Sequence, residues 1–172
     1  MAPLQPKGGH FGLILPLCTS SATVGLALFQ YPIFLSFTRD PELKGKPLSH
    51  FWEPFIKSGT TLHMATSLVS AASGALAARY LQTHSTLETT DVAQWYTYGA
   101  VLAGLRLAFY PVLASSVARM VQAGKKGGNV EETNKTEMQF WLQWHTVRTL
   151  LFDIPALWCF GEGVALSFWV GP

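Results

Sequence analysis

Long apolar runs alternate with short polar ones along this chain, and their lengths predict the elements. Residues 11–37 form a nearly unbroken apolar run, longer than a signal-peptide core and without a convincing small-residue cleavage site before it ends. That length reads as a signal-anchor and first spanning helix. Residues 58–81 predict a second helix. There Ser67, Ala71 and Ala75, and beside them Ser70, Gly74 and Ala78, recur every four residues, the close-packing pattern of membrane helices. A polar turn at 83–90 leads to a third helix over 92–121, with Asp91 as its N-cap, a small-residue seam at Ala100, Gly104 and Ala108, and an interior Arg106. The fourth spans 138–170, with a bend expected at Pro155 or at Gly161–Gly163.

The polar stretches complete the picture. Residues 1–10 read as a short flexible lead, and 124–136, glycine-rich and charged, as an exposed loop. Within the first connection, Ser49–Phe55 alternates aromatic and polar groups and reads as an interfacial segment with rings at headgroup depth. Trp52, Trp95 and Trp169 read as belt residues in the same way. The predicted fold is all-α: an integral membrane four-helix bundle, one domain over 1–172, with both termini on the same side.

Composition agrees. Of 172 residues, 49% are apolar and only 13% charged, against about a quarter charged in soluble domains. A net charge of +2, scattered along the chain, gives no footprint for nucleic acid. Cys18 and Cys159 each lie in an apolar run and indicate neither a disulfide nor a zinc framework. Charge also orients the bundle. The N-terminus, second connection and C-terminus hold Lys7 and Arg79, two basic residues. The first and third connections hold Arg39, Lys44, Lys46, Lys57, Arg119, Lys125, Lys126 and Lys135, eight in all. The positive-inside bias puts those connections in the cytoplasm and both termini outside.

The chemistry concentrates in the fourth helix. Trp141, His145, Arg148, Phe152 and Pro155 share one face by helical spacing, so an imidazole and a guanidinium sit inside an apolar segment. Ionisable groups there are costly and are candidate functional residues by default. With the orientation above, His63 of helix two and Tyr110 of helix three lie at the same depth, and a pocket lined by Trp141, His145, Arg148, His63 and Tyr110 follows. The plainer readings are helix packing for either histidine and a snorkelling side chain for Arg148. Arg106 and Asp153, both near mid-membrane, read as a structural ion pair between helices three and four. There is no phosphate loop, nucleophile elbow, HExxH or CxxC, and the membrane histidines lack a recognisable third metal ligand. A base beside a cationic oxyanion clamp fits this inventory better than a metal.

The run Phe140-Trp141-Leu142-Gln143-Trp144-His145-Thr146-Val147-Arg148 resembles the fourth-helix motif of the fungal anthrone oxygenase-like membrane proteins (the DUF1772 group). Val24–Leu35 with Tyr31-Pro32 is similar to that family's first helix, and Phe51-Trp52 through Phe55, Lys57 and Gly59 to its approach to the second. The third helix departs: Phe109-Tyr110-Pro111-Val112-Leu113-Ala114-Ser115-Ser116 stands where the family carries a Thr followed by a Met-Pro-Thr-Asn run. The resemblance implies oxidation of an anthrone-type aromatic polyketide to an anthraquinone, with dioxygen as co-substrate and no cofactor or metal, in the endoplasmic reticulum or another endomembrane. His145 would remove the acidic methylene proton and Arg148 would stabilise the oxyanion. Trp141, Phe152 and Tyr110, with His63 nearby, would bind the fused rings. A membrane isomerase or cyclase on a related polyketide or terpenoid, and a non-enzymatic four-span scaffold, are the other expectations.

Overall fold

The structure, a computed structural model, describes residues 9–40, 42–43, 45–83 and 87–169, with side chains at all but 9, 10, 87–90 and 169. Lys7, Lys44, most of the predicted lead and the side chain of Trp169 therefore lie outside the described residues. Every described element is helical: α1 Gly9–Arg39, α2 Lys46–Thr83, α3 Leu87–Leu105, α4 Tyr110–Lys126, α5 Val130–Arg148 and α6 Ile154–Trp169. A 3₁₀ turn, Arg106–Phe109, joins α3 to α4, and a π turn, Thr149–Asp153, joins α5 to α6. The described residues thus form four helical rods.

Proline explains both irregular turns. Pro111 is the second residue of α4 and has no N–H to return to Leu107, so the preceding turn tightens while α4 restarts with proline in its favoured first turn. Pro155 likewise leaves the carbonyl of Leu151 without its usual donor, and the turn before it widens. The bend expected near Pro155 is therefore a π turn just before it.

Several predicted boundaries move. α2 begins at Lys46 rather than 58, because Gly45 turns the chain with φ 79° and Pro47 suits a helix start. Ser49–Phe55 is therefore helical, and Trp52, 3% exposed, is a core residue rather than a lipid-facing belt residue. α3 starts at Leu87, so Asp91 lies a turn inside it. The predicted loop at 124–136 shrinks to 127–129, where Gly127 and Gly128 supply positive φ. Glu131 and Glu132 then occupy the first turn of α5, where their charge complements the helix dipole.

Among the described residues, three stretches are long and apolar enough to cross a membrane: Phe11–Arg39, Asp91–Lys126 and Val130–Phe168, with mean hydropathies of 1.7, 1.6 and 1.4. They suggest a membrane protein. The serine- and threonine-rich α2 is not among them.

Packing divides the described chain into two compact units, one of residues up to Val24, Ala65–Leu107 and from Leu150 on, the other of Gly25–Met64 and Ala108–Thr149. The first is centred on Tyr96 and Phe160, both fully buried. Glycine makes room for the Phe160 ring: a Cβ on Gly74 or Gly99 would lie 2.6 Å from its Cε1. Gly74 thus confirms one of the predicted small-residue seams of α2, whereas Gly104 of α3 faces open space. The expected pair of Arg106 and Asp153 is in this unit, Nε to Oδ1 3.2 Å, with side chains 3% and 0% exposed.

The second unit is built on stacked aromatic rings. Phe34 lies flat on Trp52, centroids 4.6 Å apart and planes 10° apart, and meets Trp141 edge-on at 4.7 Å. Polar contacts fasten its helix ends. Asn134 Nδ2 donates to Gly45 O at 2.6 Å and Ser49 Oγ at 2.9 Å, and Ser49 Oγ donates to Met120 O at 2.8 Å.

Candidate functional site

Of the predicted site residues, α5 carries three. Trp141, His145 and Arg148 follow i, i+4, i+7 and share one buried face, as the spacing requires. Trp141 stacks on His145, centroids 4.6 Å apart and planes 12° apart, and Tyr31 leans on the imidazole at 5.0 Å. Tyr31 Oη donates to Thr146 Oγ1 at 2.8 Å, which fixes that second ring.

Hydrogen bonding fixes the tautomer of His145. Arg148 Nη2 lies 3.0 Å from His145 Nδ1, and a guanidinium can only donate, so Nδ1 accepts. The proton is then on Nε2, which donates to Ala27 O at 3.0 Å. Both ring nitrogens are engaged and the residue is 0% exposed.

Beside this face lies a narrow cavity of about 50 Å³. It is a slot. Its aromatic walls are Trp52, Phe55, Tyr110 and Trp141, and its polar groups are Gln30, Thr60, His63 and Arg148. Gln30 Nε2 and His63 Nε2 are 2.9 Å apart; the amide N–H donates and the imidazole lone pair accepts.

The structure therefore brings together Trp141, Arg148, Tyr110 and His63 around one cavity, as the sequence suggested. His145 is not among the lining residues; it stands behind them, holding the guanidinium of Arg148. Phe152 is also not among them. It lies in the π turn, where the 3.6-residue phase that aligned it with Trp141 no longer applies. Sequence reasoning missed Gln30, Trp52, Phe55 and Thr60. Gln30 carried a usable signal, being an amide inside an otherwise apolar run. Among the described residues, no three His, Cys, Asp or Glu side chains are grouped to hold a metal ion.

No family model, curated protein or solved structure matches the chain.

Proposed function

We propose that this chain is a four-span integral membrane oxidase of an endomembrane, such as the endoplasmic reticulum, that converts an anthrone-type aromatic polyketide to the anthraquinone with dioxygen. The observation that carries this reading is the slot itself: aromatic walls, an imidazole and a guanidinium together in one narrow cavity. Its aromatic walls offer flat faces to a planar fused-ring substrate.

A cofactor-free oxidation needs a base and an anion clamp. Deprotonating the methylene opposite the ring carbonyl gives a delocalised carbanion whose charge rests largely on oxygen. Arg148 holds that oxygen, and charge-assisted donors of this kind are the strong ones. His63 takes the proton. The Gln30 amide N–H now bonded to its Nε2 marks where an acidic substrate hydrogen would be presented, so the substrate displaces the amide. His145 is a positioning residue in this scheme, because its neutral Nδ1 aims the guanidinium. The carbanion then reduces dioxygen to a ring-bound peroxide. The peroxide takes back the proton held by His63 and loses water to leave the quinone, with one oxygen atom as the new carbonyl and the other in water.

Four spans are proposed although α2 is the least apolar rod. Its 38 residues extend about 57 Å at 1.5 Å per residue, ample for a core of about 30 Å. Its hydroxyls bond to its own backbone: Thr61 to Lys57 O, Ser70 to Thr66 O, Ser73 to Val69 O, which lowers their cost in lipid. The eight-to-two distribution of basic residues puts both termini on the non-cytoplasmic side.

The test is oxygen uptake by the purified protein on addition of anthrone. Stoichiometric uptake with quinone formation is expected. Conversion of the substrate without oxygen would replace the oxidase with an isomerase or cyclase, and no conversion of any polyketide tried would leave a scaffold.

A further inference from the structure

Trp52 is 3% exposed and lines the slot, yet its indole Nε1 is buried with no hydrogen-bond partner among the described residues. Buried donors in folded proteins are nearly always satisfied, and an orphan requires an explanation. Two polar side chains that line the slot with it have partners, Gln30 with His63 and Arg148 with His145.

The ring is not able to swing toward an acceptor. Phe34 covers its face at 4.6 Å, while Phe55 and Trp141 meet it nearly edge-on at 5.5 and 5.3 Å. A donor pinned in this way is preorganised for something that enters the cavity. An apolar residue of similar shape would have packed here without the penalty, so the N–H is the feature to explain.

We propose that the indole N–H of Trp52, a residue that lines the slot together with Arg148, is the donor that selects a flat aromatic ligand bearing a ring oxygen. The ligand class is a ring carbonyl, phenol or quinone. A carbonyl oxygen has two lone pairs, so it can accept this N–H and still have an acceptor site left over. The assignment deepens the active-site reading above and rests on it for the location of the ligand, but not on any oxidation.

The test compares two stable ligands of one outline, 9,10-anthraquinone and anthracene, binding to the full chain in nanodiscs by calorimetry. Trp52→Phe removes the N–H and keeps an aromatic ring. Replacement of Trp52 by benzothienylalanine, which keeps the bicyclic shape with sulfur in place of N–H, is the second arm and serves where the phenylalanine variant does not fold. The expected result is that wild type prefers the quinone and that both variants lose about tenfold in quinone affinity, as for one hydrogen bond, with anthracene unchanged. Equal loss for both ligands, no loss, or no wild-type preference for the quinone would overturn the assignment. Oxygen uptake with anthrone, run in parallel, reports on the oxidase separately. Selective quinone loss without uptake keeps the donor and removes the oxidase, and uptake with unchanged quinone binding does the reverse.

Discussion

Replacing Asp153 with leucine should be among the most damaging single changes in the first unit. The carboxylate lies 3.2 Å from Arg106 Nε and both side chains are almost wholly buried. At an effective dielectric constant of about 20, attraction at that separation is about 5 kcal/mol. Desolvation costs several kcal/mol per ion, so the intact pair roughly breaks even. Asp153→Leu removes the attraction and leaves a guanidinium that cannot give up its proton. A loss of about 3–5 kcal/mol is expected. Arg106→Leu should likewise destabilise, since it leaves a buried carboxylate without this partner. The double variant, with no buried charge, should lie within about 1 kcal/mol of wild type or above it. Reversible unfolding in bicelles by steric trapping supplies the full cycle. Additive single effects, with the double variant the least stable of the four, would refute the pairing argument.

The remaining predictions are briefer. Arg148→Leu should lower the oxidation rate about 10²–10³-fold and His63→Ala about 10²–10⁴-fold, with the protein still accumulating in the membrane. His145→Ala should raise KM and lower kcat less than either, and an effect as large as that of His63→Ala with unaltered KM would return the base to His145. Activity should persist after dialysis against strong chelators; loss that copper or iron restores would make His63 a metal ligand instead. Gly99→Ala should destabilise by about 1–3 kcal/mol through overpacking against Phe160, and adding Phe160→Leu should recover part of it, as thermal denaturation in detergent would show. A cysteine at Lys126 should react with impermeant reagent only from the cytoplasmic side, and labelling only from the lumen would invert the topology.

Much of this was legible because lipid-compatible helices write themselves as long apolar runs. The four rods and the Arg106–Asp153 pair follow from hydropathy and depth, and the Trp141-His145-Arg148 face from the helical step. The failures have physical causes. Extrapolating a 3.6-residue period past Arg148 ignored the wider turn that Pro155 induces, and Phe152 was misplaced. Reading alternation in Ser49–Phe55 hid the helical spacing of Phe51, Trp52 and Phe55, because a polar flank and two prolines, Pro47 and Pro54, looked like a connection. The role of His145 was out of reach of any pattern, since it depends on which ring nitrogen meets the guanidinium.

The self-bonded hydroxyls of α2 have a consequence for biosynthesis. The Ser70 hydroxyl has two acceptors within reach, the Thr66 carbonyl at 2.9 Å and Thr19 Oγ1 of α1 at 2.8 Å. In a four-span protein, α1 would already be in the bilayer when α2 leaves the ribosome, offering that hydroxyl a partner. α2 is then a segment that commits to lipid as half of a hairpin, and a chain begun after α1 would leave it at the translocon mouth.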